Sequence, residues 1–238
     1  MIFPIKKQPL YMPMLGAFGG GSVRAFGLGA GASAVAEVIK NFQGVTASLA
    51  GGTLIDTQAG DLIIAITGAL SNNMSHALSG FTNIQNLTSG VLWGGEPTHY
   101  VESRFQYKIL NGSETSISTG NNSLQMAFTQ WRFPKPLTSV TTNDYQSLTN
   151  SGNNPISGSY GAVTETSTRV GCLRILAQGG YNTNTHPTLT INSSEPINSV
   201  GNSQATIKSV NDFSSGSYSA SAGYWSSPNF YTSMYCNA

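Results

Sequence analysis

Three histidines and ten carboxylates are the side chains of this 238-residue sequence that acid–base or metal chemistry would use. Hydrolysis by paired carboxylates needs two acids held across a cleft. The candidates are Asp56, Asp61, Glu96, Glu102, Asp144, Glu165 and Asp212. Asp61 follows a glycine at the head of an apolar run, where a carboxylate bonds turn amides, and Glu102 shares an alternating stretch with Arg104 and Lys108. Structural roles account for both. His76, His99 and His186 show no i, i+4 pairing, no HExxH pattern and no acid at ligand spacing, so no metal centre is expected. The sequence contains no GxSxG nucleophile turn. Gly27, Gly29 and Gly31 superficially suggest a dinucleotide loop, but the preceding strand, the third spaced glycine and the downstream acid are missing, and there is no Walker lysine. The expectation is a non-enzymatic chain with no cofactor. A carboxylate pair on a glycosidase-like sandwich is the enzymatic alternative, because fold alone does not decide function.

Composition narrows the partners. Charged residues make up 9% of the chain, against about 25% in ordinary globular domains, and the polar surface must be built from Ser, Thr, Asn and Gln. The formal net charge is +1 and the eleven basic residues are scattered, so nothing draws a phosphate backbone and nucleic acid is excluded as an expected partner. A weakly charged surface repels its own copies weakly, which suits a protein packed at high density. Cys172 and Cys236 lie far apart in sequence, and no disulfide is expected between them. Pro4, Pro9, Pro13, Lys6 and Lys7 interrupt any signal-like apolar stretch, and the run LIIAI at residues 62–66 is too short to span a bilayer, so no targeting segment or membrane insertion is expected. Asn-X-Ser/Thr sequons arise by chance in a chain so rich in Asn, Ser and Thr.

The elements that would position any site fall into two parts. Residues 1–35 are punctuated by three prolines and then by closely spaced glycines, which makes regular structure costly. A freely solvated linker would be polar. This segment instead carries Met14, Leu15, Phe18, Val23, Phe26 and Leu28 around a single cation, Arg24. It reads as an extended arm whose side chains need a surface to bury against. From residue 36 onward, eight runs read as strands, at residues 36–42, 60–68, 99–110, 124–133, 168–177, 188–192, 205–210 and 217–225. In the third, Tyr100, Glu102, Arg104, Gln106 and Lys108 share a wet face, opposite Val101, Phe105, Tyr107 and Ile109. Residues 71–90 read as a loop. No amphipathic helix and no fixed repeat is visible. The fold class is all-β: an antiparallel, jelly-roll-like sandwich over residues 36–238 with a glycine-rich N-terminal arm. Trp93 and Tyr181 sit in polar loops, as a sugar-stacking residue would. In the alternative reading, Trp93 caps the core and Tyr181 lies at a subunit contact.

The order of features, SVRAFGLGAGAS, then QAGDLIIAITG, then YKIL followed by GSETSIS and LQMAFTQWRF, resembles virion structural proteins of tailed bacteriophages. Residues 60–64 and 107–118 carry the likeness, which covers the first half of the chain and brings no catalytic residues with it. The resemblance implies a capsid decoration, cement or head-fibre protein, or a tail component, assembled in the host cytoplasm and resident in the virion. It implies a homo-oligomer, with a trimer favoured, that contacts other virion proteins through the arm residues Met14, Leu15, Phe18, Val23, Arg24, Phe26 and Leu28. The alternative within the same group is a tail receptor-binding or adaptor protein that holds a host surface glycan near Trp93 or Tyr181. Burying each large arm side chain contributes about 1.5–3 kcal/mol, against an ordering cost of about 1–2 kcal/mol per residue. One arm is therefore a weak anchor, and several arms in one oligomer are a durable one.

Overall fold

The run LIIAI lacks polar alternation because both of its faces are covered. The computed structural model describes residues 35–45, 52–70, 77–89, 101–117, 125–148, 155–179, 188–201, 205–221 and 229–238. The first sheet comprises β1 (Glu37–Val45), β2 (Ala59–Leu70), β3 (Thr82–Ser89), β4 (Val101–Asn111) and β5 (Gln125–Arg132), hydrogen-bonded in the order β1-β5-β2-β4-β3. The second draws on β6 (Ser139–Leu148), β8 (Arg169–Gly179), β10 (Asn198–Gly201), β11 (Ala205–Asn211) and β13 (Asn229–Asn237), in the order β10-β11-β8-β13-β6. A small third sheet pairs β7 (Ile156–Tyr160), β12 (Gly216–Ala220) and β9 (Leu189–Asn192), with β12 in the middle. All pairings are antiparallel. The antiparallel β-sandwich read from the sequence is the architecture found.

Three apolar layers hold it together. Between the first two sheets, Leu62, Ile64, Ile66 and Phe105 meet Leu173, Ile175, Phe230 and Met234. The intervening β2 residues Ile63 and Ala65 point outward with Met126 and Phe128, beneath Leu54, Leu78 and Ile117 from neighbouring segments. The third sheet covers the far face of the second, placing Ile156, Leu189, Ile191 and Tyr218 over Leu176, Val210 and Tyr231. The central strands β2 and β8 are therefore buried on both faces, which is why they read as unbroken apolar runs. Close approach is enforced at Gly171, where a Cβ would lie 2.1 Å from the Phe133 ring.

The structure differs from the sequence reading at three points. Thirteen strands occur among the described residues, and β3, β6, β7, β10 and β13 are additions to the eight expected. The region expected to be a loop at residues 71–90 contains β3. The expected wet face of residues 99–110 is partly roofed: Gln106 is 1% exposed, and its Oε1 accepts the Leu78 backbone N–H at 2.9 Å. The jelly-roll likeness is confined to two antiparallel sheets packed face to face. The chain completes its first sheet with β5 before entering the second at β6, with no alternation between the two.

Candidate functional site

The residues singled out from the sequence as a site lie outside the described residues. These are the arm positions Met14, Leu15, Phe18, Val23, Arg24, Phe26 and Leu28, the loop aromatics Trp93 and Tyr181, and the three histidines. Two of the candidate carboxylates are instead found at the centres of polar clusters, and both clusters serve the fold.

The first cluster ties the head of β2 to the end of β5. Arg132 meets Asp61 through two parallel bonds, Nε to Oδ1 and Nη2 to Oδ2, each 2.9 Å, and its Nη1 reaches Asp56 Oδ2 at 2.8 Å. Gln130 Nε2 and the Gln58 backbone N–H complete the Asp61 shell at 2.9 and 3.0 Å. Asp61 is 2% exposed, and its oxygens are taken up by protein donors. Its carboxylate raises the pKa of Arg132 above the ordinary value, outweighing the opposing effect of burial, with Asp56 assisting. A fork-on-fork pair of this kind fixes geometry.

The second cluster locks the third sheet onto the second. Arg174 is fully buried on β8. It donates to the carbonyls of Asp212 at 3.1 Å and Gly161 at 2.7 Å and to Ser233 Oγ at 2.7 Å, and its guanidinium lies 4.5 Å from the centre of the Tyr160 ring. Asp212 accepts from Ser214 Oγ at 2.6 Å, Ser193 Oγ at 2.7 Å and Tyr160 OH at 3.2 Å. Burial opposes ionisation of Asp212, but these donors outweigh it and hold the carboxyl below its ordinary value. Burial first, and then the Asp212 charge, push Tyr160 up to about 12. Tyr231 stacks flat on Tyr218 with ring centres 3.6 Å apart.

Cys172 and Cys236 are both buried and form no disulfide. Cys172 is opposite Tyr235 and Cys236 is opposite Gly171 on the adjoining strands β8 and β13, and Cys236 belongs to the core between the large sheets. Facing residues of a pair share a side and successive residues alternate, so the two thiols point to opposite faces of the second sheet and cannot bond. Burial pushes the Cys236 thiol far up, which leaves it a packing group.

One concave feature remains unexplained by the fold. Along one side of the sandwich, β1 and β10 form the edges of the two large sheets, and Asn41 and Asn198 join them by reciprocal amide bonds of 2.6 and 3.1 Å. Next to this seam opens a cleft of about 330 Å³, lined by Val35, Val38, Trp131 and Ile197, with Glu195 as the charged residue and Asn198 and Asn211 as the other polar ones. Trp131 is 4% exposed, and its Nε1 is buried with no hydrogen-bond partner among the described residues. Val35 and Ile197 are 78% and 42% exposed, two of the three large apolar side chains exposed among the described residues. The Glu195 carboxylate makes no ion pair among the described residues. The sequence alone gives no sign of this cleft, because residues 35–38, 131, 195–198 and 211 are brought together only by sheet stacking. Comparison with protein-family models, with curated proteins and with solved structures finds no match to the chain.

Proposed function

We propose that this chain is a non-enzymatic structural subunit of a tailed-bacteriophage virion, of the capsid decoration or head-fibre type, held to neighbouring subunits by its N-terminal arm. The observation that carries the reading is the contrast between residues 14–28 and the chain from residue 36 onward. The strands and core of the described sandwich are built from the latter, while the preceding segment sets Phe18, Val23, Phe26 and Leu28 on a glycine backbone with one charge. Apolar side chains so spaced suit an extended ligand that fills pockets on a partner, with the glycines permitting close backbone approach. The low charge density of the whole chain agrees with crowding in an assembly, and the likeness to virion proteins points the same way. The two carboxylate clusters are consistent with a scaffold, since their oxygens are taken up by protein donors.

The test replaces Phe18 and Phe26 by serine in the full-length chain, which keeps length and flexibility but removes two anchors. Incorporation of the double variant into particles is expected to fall sharply, with the thermal transition of the sandwich unchanged. Wild-type occupancy of the variant would overturn the reading.

A further inference from the structure

We propose that the cleft beside the β1–β10 seam is the seat for the arm of a second copy of this chain, with Arg24 of the incoming arm paired to Glu195. The inference rests on the arm-anchored reading above and names the surface that receives the arm.

Two features of the cleft select this occupant. Its walls are apolar and open to solvent at Val35 and Ile197, an arrangement that costs free energy unless something covers it. Its charge is a single carboxylate with no cation among the lining residues. The arm is complementary on both counts. Residues 14–34 contain one cation, Arg24, and no acid. In an extended segment alternate residues share a face, so Arg24, Phe26 and Leu28 come down together, the first on Glu195 and the others against the apolar wall. Gly27 and Gly29 flank Leu28, and the lack of side chains there lets the backbone lie close against the wall. The Trp131 ring does not offer a sugar a stacking platform, because it is buried in the core against Phe133. A glycan is therefore the poorer fit. The site is self-complementary: each copy contributes one arm and one cleft, which supports closed rings as well as dimers.

Charge reversal in full-length protein tests the pairing, with sedimentation velocity as the readout. E195R and R24E alone each place like charges together and are expected to weaken self-association at least about tenfold. Mixed in equal amounts they are expected to associate more tightly than either alone, since an arm of one chain then meets an opposite charge in the other chain's cleft. A parent chain that stays monomeric, an E195R chain that associates like the parent, or a mixture no tighter than its components would overturn the assignment. The F18S/F26S particle assay separates this from the reading on which it rests. Loss of incorporation with unaltered E195R and R24E association means that the arm anchors elsewhere, and the cleft assignment alone fails. Full incorporation of F18S/F26S removes both.

Discussion

Asp212 and Tyr160 bind each other at 3.2 Å in a site closed to water, and their titrations set the limits within which the third sheet stays docked. The native Asp212 carboxyl sits below its ordinary value of 3.8, so below that pH the unfolded chain takes up a proton before the native one does. Its contribution is intact above 3.8 and is lost as pH falls through the depressed native value. Tyr160 has the opposite sign: raised from 10.0 to about 12, it contributes fully below pH 10.0 and loses that contribution as pH climbs toward 12. Denaturant midpoints measured across pH are expected to hold level through neutrality and to fall on both limbs. Tyr160→Phe removes the one hydroxyl proton that Asp212 Oδ2 and the Asn192 carbonyl share. It is expected to lower stability by roughly 1–3 kcal/mol and to flatten the alkaline limb, and an unchanged limb would assign that titration to another tyrosine.

Among the elements, β8 is constrained on both sides. Gly171 accepts the Phe133 ring on one face, so Gly171→Ala is expected to cost about 1–3 kcal/mol through overpacking. A Gly171→Ala/Phe133→Leu double variant should recover part of the loss in the same thermal melt, because the smaller side chain vacates the position the new methyl needs. The edges of the two large sheets show a different device. β1 carries an extra residue between Val38 and Lys40, β3 another between Asn83 and Gln85, and β6 has an irregularity opposite Tyr231 and Ser233. Bulges on edge strands twist away the free backbone groups that would recruit another sheet. These patterns also explain which strands were legible. β2, β4, β5, β8 and β11 announce themselves by apolar or alternating runs. β13, reading NFYTSMYCN, does not, because its Thr232 and Ser233 are buried with their hydroxyls satisfied by the Asn143 carbonyl, Arg174 and Tyr231. Polar letters inside a core defeat a reading that equates burial with apolarity. The short strands β7 and β10, ISGSY and NSVG, are too brief and serine-rich to stand out from turns. The cleft was invisible for a further reason: its lining comes from four separated stretches of chain, and no local pattern encodes their meeting.

At the scale of the whole molecule, strand order separates the two halves in time. The first sheet is contiguous, running from Glu37 to Arg132, whereas the second has β13 at its interior, flanked by β8 and β6. A chain ending at Pro228 would leave β6 and β8 without their shared neighbour and strip Phe230 and Met234 from the main core. Such a truncation is expected to aggregate or to bind an apolar reporter dye strongly, and a soluble truncation with native β content would show that the first sheet is self-sufficient. On the ribosome the same arrangement means a wait. Roughly a hundred residues separate the end of β5 from the end of β13, and at about 5–20 residues per second their synthesis takes about 5–20 seconds. Through that interval Leu62, Ile64 and Ile66 face no second sheet, so a nascent copy is sticky while its arm has already emerged. Copies made side by side on one message therefore present the same uncovered face to one another, and the hazard of their sticking together ends only when β8 and β13 have been made.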